Sequence, residues 1–164
     1  MPLLADNLSH WQQLAEKGSV NAQFNLGAMY DNGDGVPEDA AEAAKWYHQA
    51  ADQGHVNAQF NLGVMYANGE GVAENAAEAA TWYRKAAEQG DHRAQYNLGA
   101  LYANGQGVPQ SNSESYVWWN LAAMSGNKNL AIKRDRAAEK LTTGELNLAQ
   151  QRAAKLFDEI QQKK

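Results

Sequence analysis

A six-residue block returns at a fixed interval, and this periodicity limits what the chain folds into more than any other feature. Ala22-Gln23-Phe24-Asn25-Leu26-Gly27 recurs as Ala58-Gln59-Phe60-Asn61-Leu62-Gly63 and as Ala94-Gln95-Tyr96-Asn97-Leu98-Gly99, 36 residues apart each time and without insertion. Other blocks keep the same step. Asn32-Gly33-Asp34-Gly35-Val36 returns at Asn68 and Asn104, and Trp46-Tyr47 returns as Trp82-Tyr83 and Trp118-Trp119. Each unit closes on a glycine, at Gly54, Gly90 and Gly126. In such an array each unit is one supersecondary element that buries its apolar face on its neighbours.

Each unit reads as helix, loop, helix. The first helix (A) is predicted over about residues 20–31, after Ser19, His55, Asp91 or Asn127 as N-cap. The glycines of Asn-Gly-x-Gly-Val supply the turn that follows. The second helix (B) opens on a capping-box pattern, Asp39/Glu42, Asn75/Glu78 and Ser111/Glu114, and ends at the unit's closing glycine. Ala43, Trp46, Tyr47, Ala50 and Ala51 fall at i, i+3, i+4, i+7 and i+8, one apolar stripe. Helix A carries Leu26, Met29 and Tyr30 beside Gly27, and a mid-helix glycine costs about 1 kcal/mol against alanine. Its return at Gly63 and Gly99 predicts the close approach of another helix there, with the aromatic pairs as packing residues.

The ends depart from the pattern, as the ends of an array do. The expected organisation is one domain over residues 1–164: a half-repeat helix at 1–18, repeats at 19–54, 55–90 and 91–126, and a C-terminal capping helix pair at 127–164. Residues 5–17, with Trp11, Leu14 and Ala15 before Gly18, are in register with a helix B. After Gly126 the A pattern decays, with Asp135 where glycine would stand. Thr142/Glu145 then opens a last helix with Leu146, Ala149, Ala153, Phe157 and Ile160 on one face.

Charge and composition narrow the function. A net charge of −5 disfavours a nucleic-acid surface, whose affinity comes from Lys and Arg on phosphates. The charge is uneven: residues 1–126 carry five basic and fourteen acidic side chains, residues 127–164 nine basic and five acidic. Cysteine is absent, which removes disulfides and thiolate metal sites. No apolar run nears the ~20 residues that span a bilayer. Met1-Pro2-Leu3-Leu4-Ala5-Asp6 is too short and uncharged for a signal peptide, and both a cytoplasmic and an exported location stay open.

Catalytic patterns are weak, and no enzyme, metal site or cofactor is expected. His10, His48, His55 and His92 are dispersed, with no pair at i, i+3 or i, i+4. Ser125-Gly126-Asn127-Lys128 matches the Ser-x-x-Lys pattern of penicillin-recognising enzymes, but six Ser and nine Lys give roughly 0.3 such matches by chance. The serine ends a helix, and the Lys-Thr-Gly and Ser-Asp-Asn partners are missing. The Asn-Gly-x-Gly-Val loops lack the Lys-Ser/Thr and preceding strand of a phosphate cradle.

The block A-Q-[FY]-N-L-G-x-[LM]-Y-x-N-G-x-G-V followed by A-x-x-W-Y-x-x-A-A-x-x-G resembles the Sel1-like repeat family, relatives of the tetratricopeptide repeats. The resemblance covers residues 19–126, with Trp119 in place of the second-position Tyr. It implies an all-α fold, a right-handed α-α superhelix of antiparallel helix pairs whose A helices line the concave side. Members are commonly adaptors in signalling, envelope and host-interaction settings, many of them bacterial. Cysteine-rich relatives bind or hydrolyse β-lactams, and the absent cysteines set this chain apart from them.

If helix A packs through Leu26, Gly27 and Tyr30, its free face follows from 100° per residue. Asn21, Asn25, Ala28 and Asn32 share that sector, repeated as Asn57, Asn61, Val64 and Asn68, and as Arg93, Asn97, Ala100 and Asn104. Asn25, Asn61 and Asn97 would form a ladder of amides suited to an extended peptide's backbone. Phe24, Phe60 and Tyr96 flank it, and Arg93 offers a cation for a carboxylate. The competing reading is that these amides only serve the scaffold. The expected function is thus an adaptor that takes a peptide or another protein's segment in its groove. The alternatives are a β-lactam-type small-molecule binder or hydrolase and a self-association element, the latter through the N-terminal half-repeat of an otherwise monomeric chain.

Overall fold

The computed structural model describes residues 2–163, with side chains from residue 8 onward; Met1 and Lys164 lie outside them. Among the described residues the chain is all-α. The A helices are α2 (Val20–Asn32), α4 (Val56–Asn68), α6 (His92–Asn104) and α8 (Lys128–Ala138). The B helices are α1 (Pro2–Glu16), α3 (Ala40–Asp52), α5 (Ala76–Ala87), α7 (Asn112–Ala123) and α9 (Thr143–Gln162). Val20, Val56, His92 and Lys128 open the A helices at constant spacing, so the period runs one step past the last recognisable block. The first unit ends at Asn75 and holds α1 to α4, and the second begins at Ala76 and holds α5 to α9.

Local chemistry fixes the boundaries. Ser19, His55, Asp91 and Asn127 cap the four A helices, each accepting a backbone N–H, and His55 does so through Nδ1 from Ala58. The A helices of the three repeats end on Gly33, Gly69 and Gly105, with φ of 70°, 72° and 66°. Two of the B-helix boxes are only half made. Asp39 and Ser111 accept from Glu42 and Glu114 backbone N–H groups, but Lys45 holds the Glu42 carboxylate and Arg152 that of Glu114, each at 2.7 Å. The reciprocal box closes at Thr142/Glu145, where hydrogen bonds to Thr142 hold the Glu145 carboxyl below its ordinary pKa.

The recurring mid-helix glycine has a sharper cause than a neighbouring helix backbone. A Cβ on Gly27 would lie 2.7 Å from Tyr47 Cδ1, and one on Gly99 2.6 Å from Trp119 Cδ1. The second aromatic of helix B therefore packs directly against the A helix of its own repeat, and Trp119 Nε1 donates to the Tyr96 carbonyl at 3.1 Å. The second loop glycines are equally confined. A Cβ on Gly71 would meet the Ala40 carbonyl oxygen at 2.1 Å, and one on Gly107 the Ala76 carbonyl at 2.2 Å. Each loop thus presses on the start of the previous repeat's helix B.

In the first unit, Ala15, Ala22 and Leu26 form a core that Leu8, Trp11, Leu14, Met29, Tyr30 and Trp46 pack against. A polar junction joins helix B of one repeat to helix A of the next. Gln59, almost fully buried, donates from Nε2 to the Ala51 carbonyl at 3.0 Å. The Asn61 amide hydrogen-bonds the Tyr47 hydroxyl, and His48 Nε2 lies 3.0 Å from the Tyr66 hydroxyl. The second unit repeats the set with its own residues: Gln95 donates to the Ala87 carbonyl at 3.1 Å, Asn97 bonds the Tyr83 hydroxyl, and Arg84 bonds Tyr102. The last carbonyls of an α-helix lack intrahelical partners, and the buried glutamine supplies one.

Candidate functional site

The outward sector of the A helices is built by the packing of the opposite side. Leu26, Leu62 and Leu98 are fully buried, which turns Asn21, Asn57 and Arg93 to solvent and leaves the following asparagines half-buried. Asn61 and Asn97 each give one hydrogen bond to a tyrosine hydroxyl of the preceding repeat. An amide has two N–H donors and a carbonyl acceptor, so this bond leaves each asparagine further capacity on its solvent side. Asn25 has the same place in α2, but Trp11, one period before Tyr47, carries no hydroxyl to meet it.

The tyrosine hydroxyls are shielded. Burial first, and then the charge of Asp31, push the Tyr47 pKa well above its ordinary value, with the Asn61 bond opposing. Tyr47 also donates to Asp31 Oδ2 at 3.1 Å. Burial raises Tyr83 likewise, against the Asn97 bond. Both tyrosines stay neutral donors and acceptors across the physiological range.

The flanking aromatics are partly engaged. Phe24 stacks on His55 at 4.4 Å and lies 5.7 Å from Tyr47. Burial lowers the His55 pKa, which keeps Nδ1 free to accept in its cap. Phe60, Val64 and Tyr96 are half-buried. Arg93 is gripped by Asp91, with Nη2 2.5 Å from Oδ2, so its charge is already paired.

Two features went unread in the sequence. The buried Gln23, Gln59 and Gln95 recur with the period on an otherwise apolar face, and that was the available signal. The second is α8. One period beyond Asn97, Ala100 and Asn104 stand Lys133, Arg136 and Lys140, so the candidate sector becomes cationic in the last A helix and the turn that follows it. No group of three or more His, Asp or Glu among the described residues is placed to hold a metal, and no helix there is long and apolar enough to cross a membrane.

Comparison with known proteins agrees with this architecture. The Sel1 repeat matches residues 20–55, 56–91 and 92–127. The crystal structure of a Sel1 repeat protein from Oxalobacter formigenes superposes with a TM-score of 0.71 at 37% identity, covering 79% of this chain and 98% of that one. A second structure is c5321, a protective antigen of uropathogenic Escherichia coli strains with an SLR fold. It gives a TM-score of 0.71 at 30% identity, covering 95% of this chain but only 41% of the longer c5321 chain. No curated protein matches in sequence. Three consecutive matched repeats place the chain in the Sel1 repeat family, all-α repeat solenoids that generally serve as protein–protein interaction scaffolds.

Proposed function

We propose that the chain is a non-catalytic interaction module that takes extended peptide segments of another protein along the outward faces of the A helices within each unit. The reading rests on the recurring asparagine. Asn61 and Asn97 are held by a tyrosine on one side and half-exposed on the other, which fixes the amide without exhausting it. A fixed amide costs less ordering on binding than a free one, and it offers a peptide backbone both a donor and an acceptor. Asn21, Asn25 and Phe24 would extend that face on α2, as would Asn57, Phe60 and Val64 on α4. Tyr96 and Arg93 do the same on α6, with Arg93 releasing Asp91 only for a competing carboxylate.

The test is partner capture from the source organism by Asn25→Ala/Asn61→Ala/Asn97→Ala and by Tyr47→Phe/Tyr83→Phe. The asparagine variant is expected to keep its helical circular dichroism and lose its partner, and the tyrosine variant, which releases two of the amides without removing them, to keep its helicity and bind more weakly. Unchanged partner affinity in a folded asparagine variant refutes the reading.

A further inference from the structure

The last A helix carries a charge pattern that the three repeats do not. Lys133, Arg136 and Lys140 occupy the positions of Asn97, Ala100 and Asn104 one period on. Lys133 and Arg136 stand three residues apart on one face of α8, and Lys140 follows in the turn just beyond the helix end at Ala138. Ala137 lies in the same sector and is 3% exposed against the body of the unit, so the three cations rim a buried seam.

They also share a cavity. A hollow of about 230 Å³ is walled by all three cations together with Asn104, Ser115 and Trp119, and no acidic side chain contributes to it. The Lys133 ammonium stands 5.5 Å from the Tyr96 ring and 5.6 Å from the Trp119 ring, beside the aromatic wall. Two nearby carboxylates are otherwise engaged, and the exposed Glu139 does not line the cavity. Asp135 is bound by Arg134 at 2.7 Å, and Glu114 by Arg152 at 2.7 Å. None of the three cations belongs to an ion pair among the described residues. Three like charges facing one cavity repel one another, and an anion placed there relieves that repulsion.

We infer that the cavity between α6, α7 and α8 binds the carboxylates of an extended acidic peptide segment from a partner protein. The cations are spread over the last part of α8 and the turn beyond it, whereas a single tetrahedral anion needs them gathered at one point. In an extended chain, side chains two residues apart point the same way about 7 Å apart, so alternate acidic residues match the row. The inference rests on the interaction reading proposed above and adds to it a site and a partner chemistry.

Fluorescence anisotropy tests it, using a labelled peptide in which glutamate alternates with glycine and a glutamine counterpart. The glutamate peptide is expected to saturate the full chain, and to bind less tightly as sodium chloride rises from about 0.05 to about 0.3 M. Lys133→Ala/Arg136→Ala/Lys140→Ala is expected to weaken binding at least about tenfold. Lys155→Ala on α9 with Lys163→Ala at its C-cap leaves it unchanged. Helical circular dichroism confirms that each variant is folded. Equal binding of the glutamine peptide, an unaffected triple variant, or equal loss in the α9 variant overturns the inference. Displacement by inorganic phosphate at equimolar concentration overturns it in favour of a small phosphate-bearing ligand. The asparagine variants leave the three cations intact, so failure here and failure of the wider reading are told apart.

Discussion

Replacing Gly99 by alanine separates local propensity from packing, because the two predict opposite signs. On propensity alone, alanine in a helix interior stabilises by about 1 kcal/mol. The added Cβ would lie 2.6 Å from Trp119 Cδ1 and 2.7 Å from Nε1, closer than van der Waals contact allows. Trp119 is 8% exposed, so its ring cannot swing into solvent without opening the core. Overpacking costs about 1–3 kcal/mol, and a shifted ring also gives up the Nε1 bond to the Tyr96 carbonyl, worth about 1 kcal/mol. Packing wins, and Gly99→Ala is expected to destabilise by a net of about 1–3 kcal/mol. For a chain of this length each kcal/mol moves Tm by about 2–4 °C. In a Trp119→Leu background the ring is gone and only propensity remains, so Gly99→Ala is expected there to be neutral or stabilising. Urea denaturation of the wild type, both single variants and the double variant, followed by circular dichroism, closes the cycle. A rise in stability on Gly99→Ala alone, or an equal loss in both backgrounds, would refute the packing argument.

Gln59→Leu keeps the side chain's bulk but orphans the Ala51 carbonyl, and a loss of about 1–3 kcal/mol is expected in the same denaturation assay. The His55 cap makes stability pH-dependent. Its folded pKa lies below the ordinary 6.5 because burial disfavours the imidazolium. Its contribution is therefore complete above about pH 6.5 and is lost as pH falls through the folded value. Protonation removes the Nδ1 acceptor and places a cation at a helix N-terminus. His55→Asp, which installs the residue used at Asp91, is expected to flatten the denaturation midpoint between about pH 5 and about pH 7.

Helix boundaries were legible because capping and glycine chemistry act within a few residues. Helix A, expected over about 20–31, is observed as Val20–Asn32. His55 lacks an ordinary capping oxygen, yet its period fixed it as a cap and Nδ1 fills the role. Interactions set by the third dimension were not legible. Whether Glu42 and Glu114 would close their boxes depended on Lys45 and Arg152, and the latter lies 38 residues from Glu114. The tyrosine that holds Asn61 belongs to the preceding repeat, so periodicity marked the asparagine without showing its partner. The fourth A helix was expected from its Asn127 cap, but Asp135 obscured its place in the repeat. Glycine is required in that place when an aromatic ring lies against it, and one period beyond Trp119 the ring's place is taken by Lys155.

The polar junctions described above bear on how this chain can grow. Every bond in them runs from helix B of one repeat to helix A of the next, and the two sets differ only in exchanging His48 for Arg84. A duplicated copy of residues 56–91 would bring Tyr83, Arg84 and Ala87 against a second Asn61, Tyr66 and Gln59. Each of those pairings already occurs in one junction or the other, and arginine meets a tyrosine hydroxyl at this place in the second unit. Lengthening by whole units thus needs no new chemistry, whereas a partial insertion misaligns every donor at once.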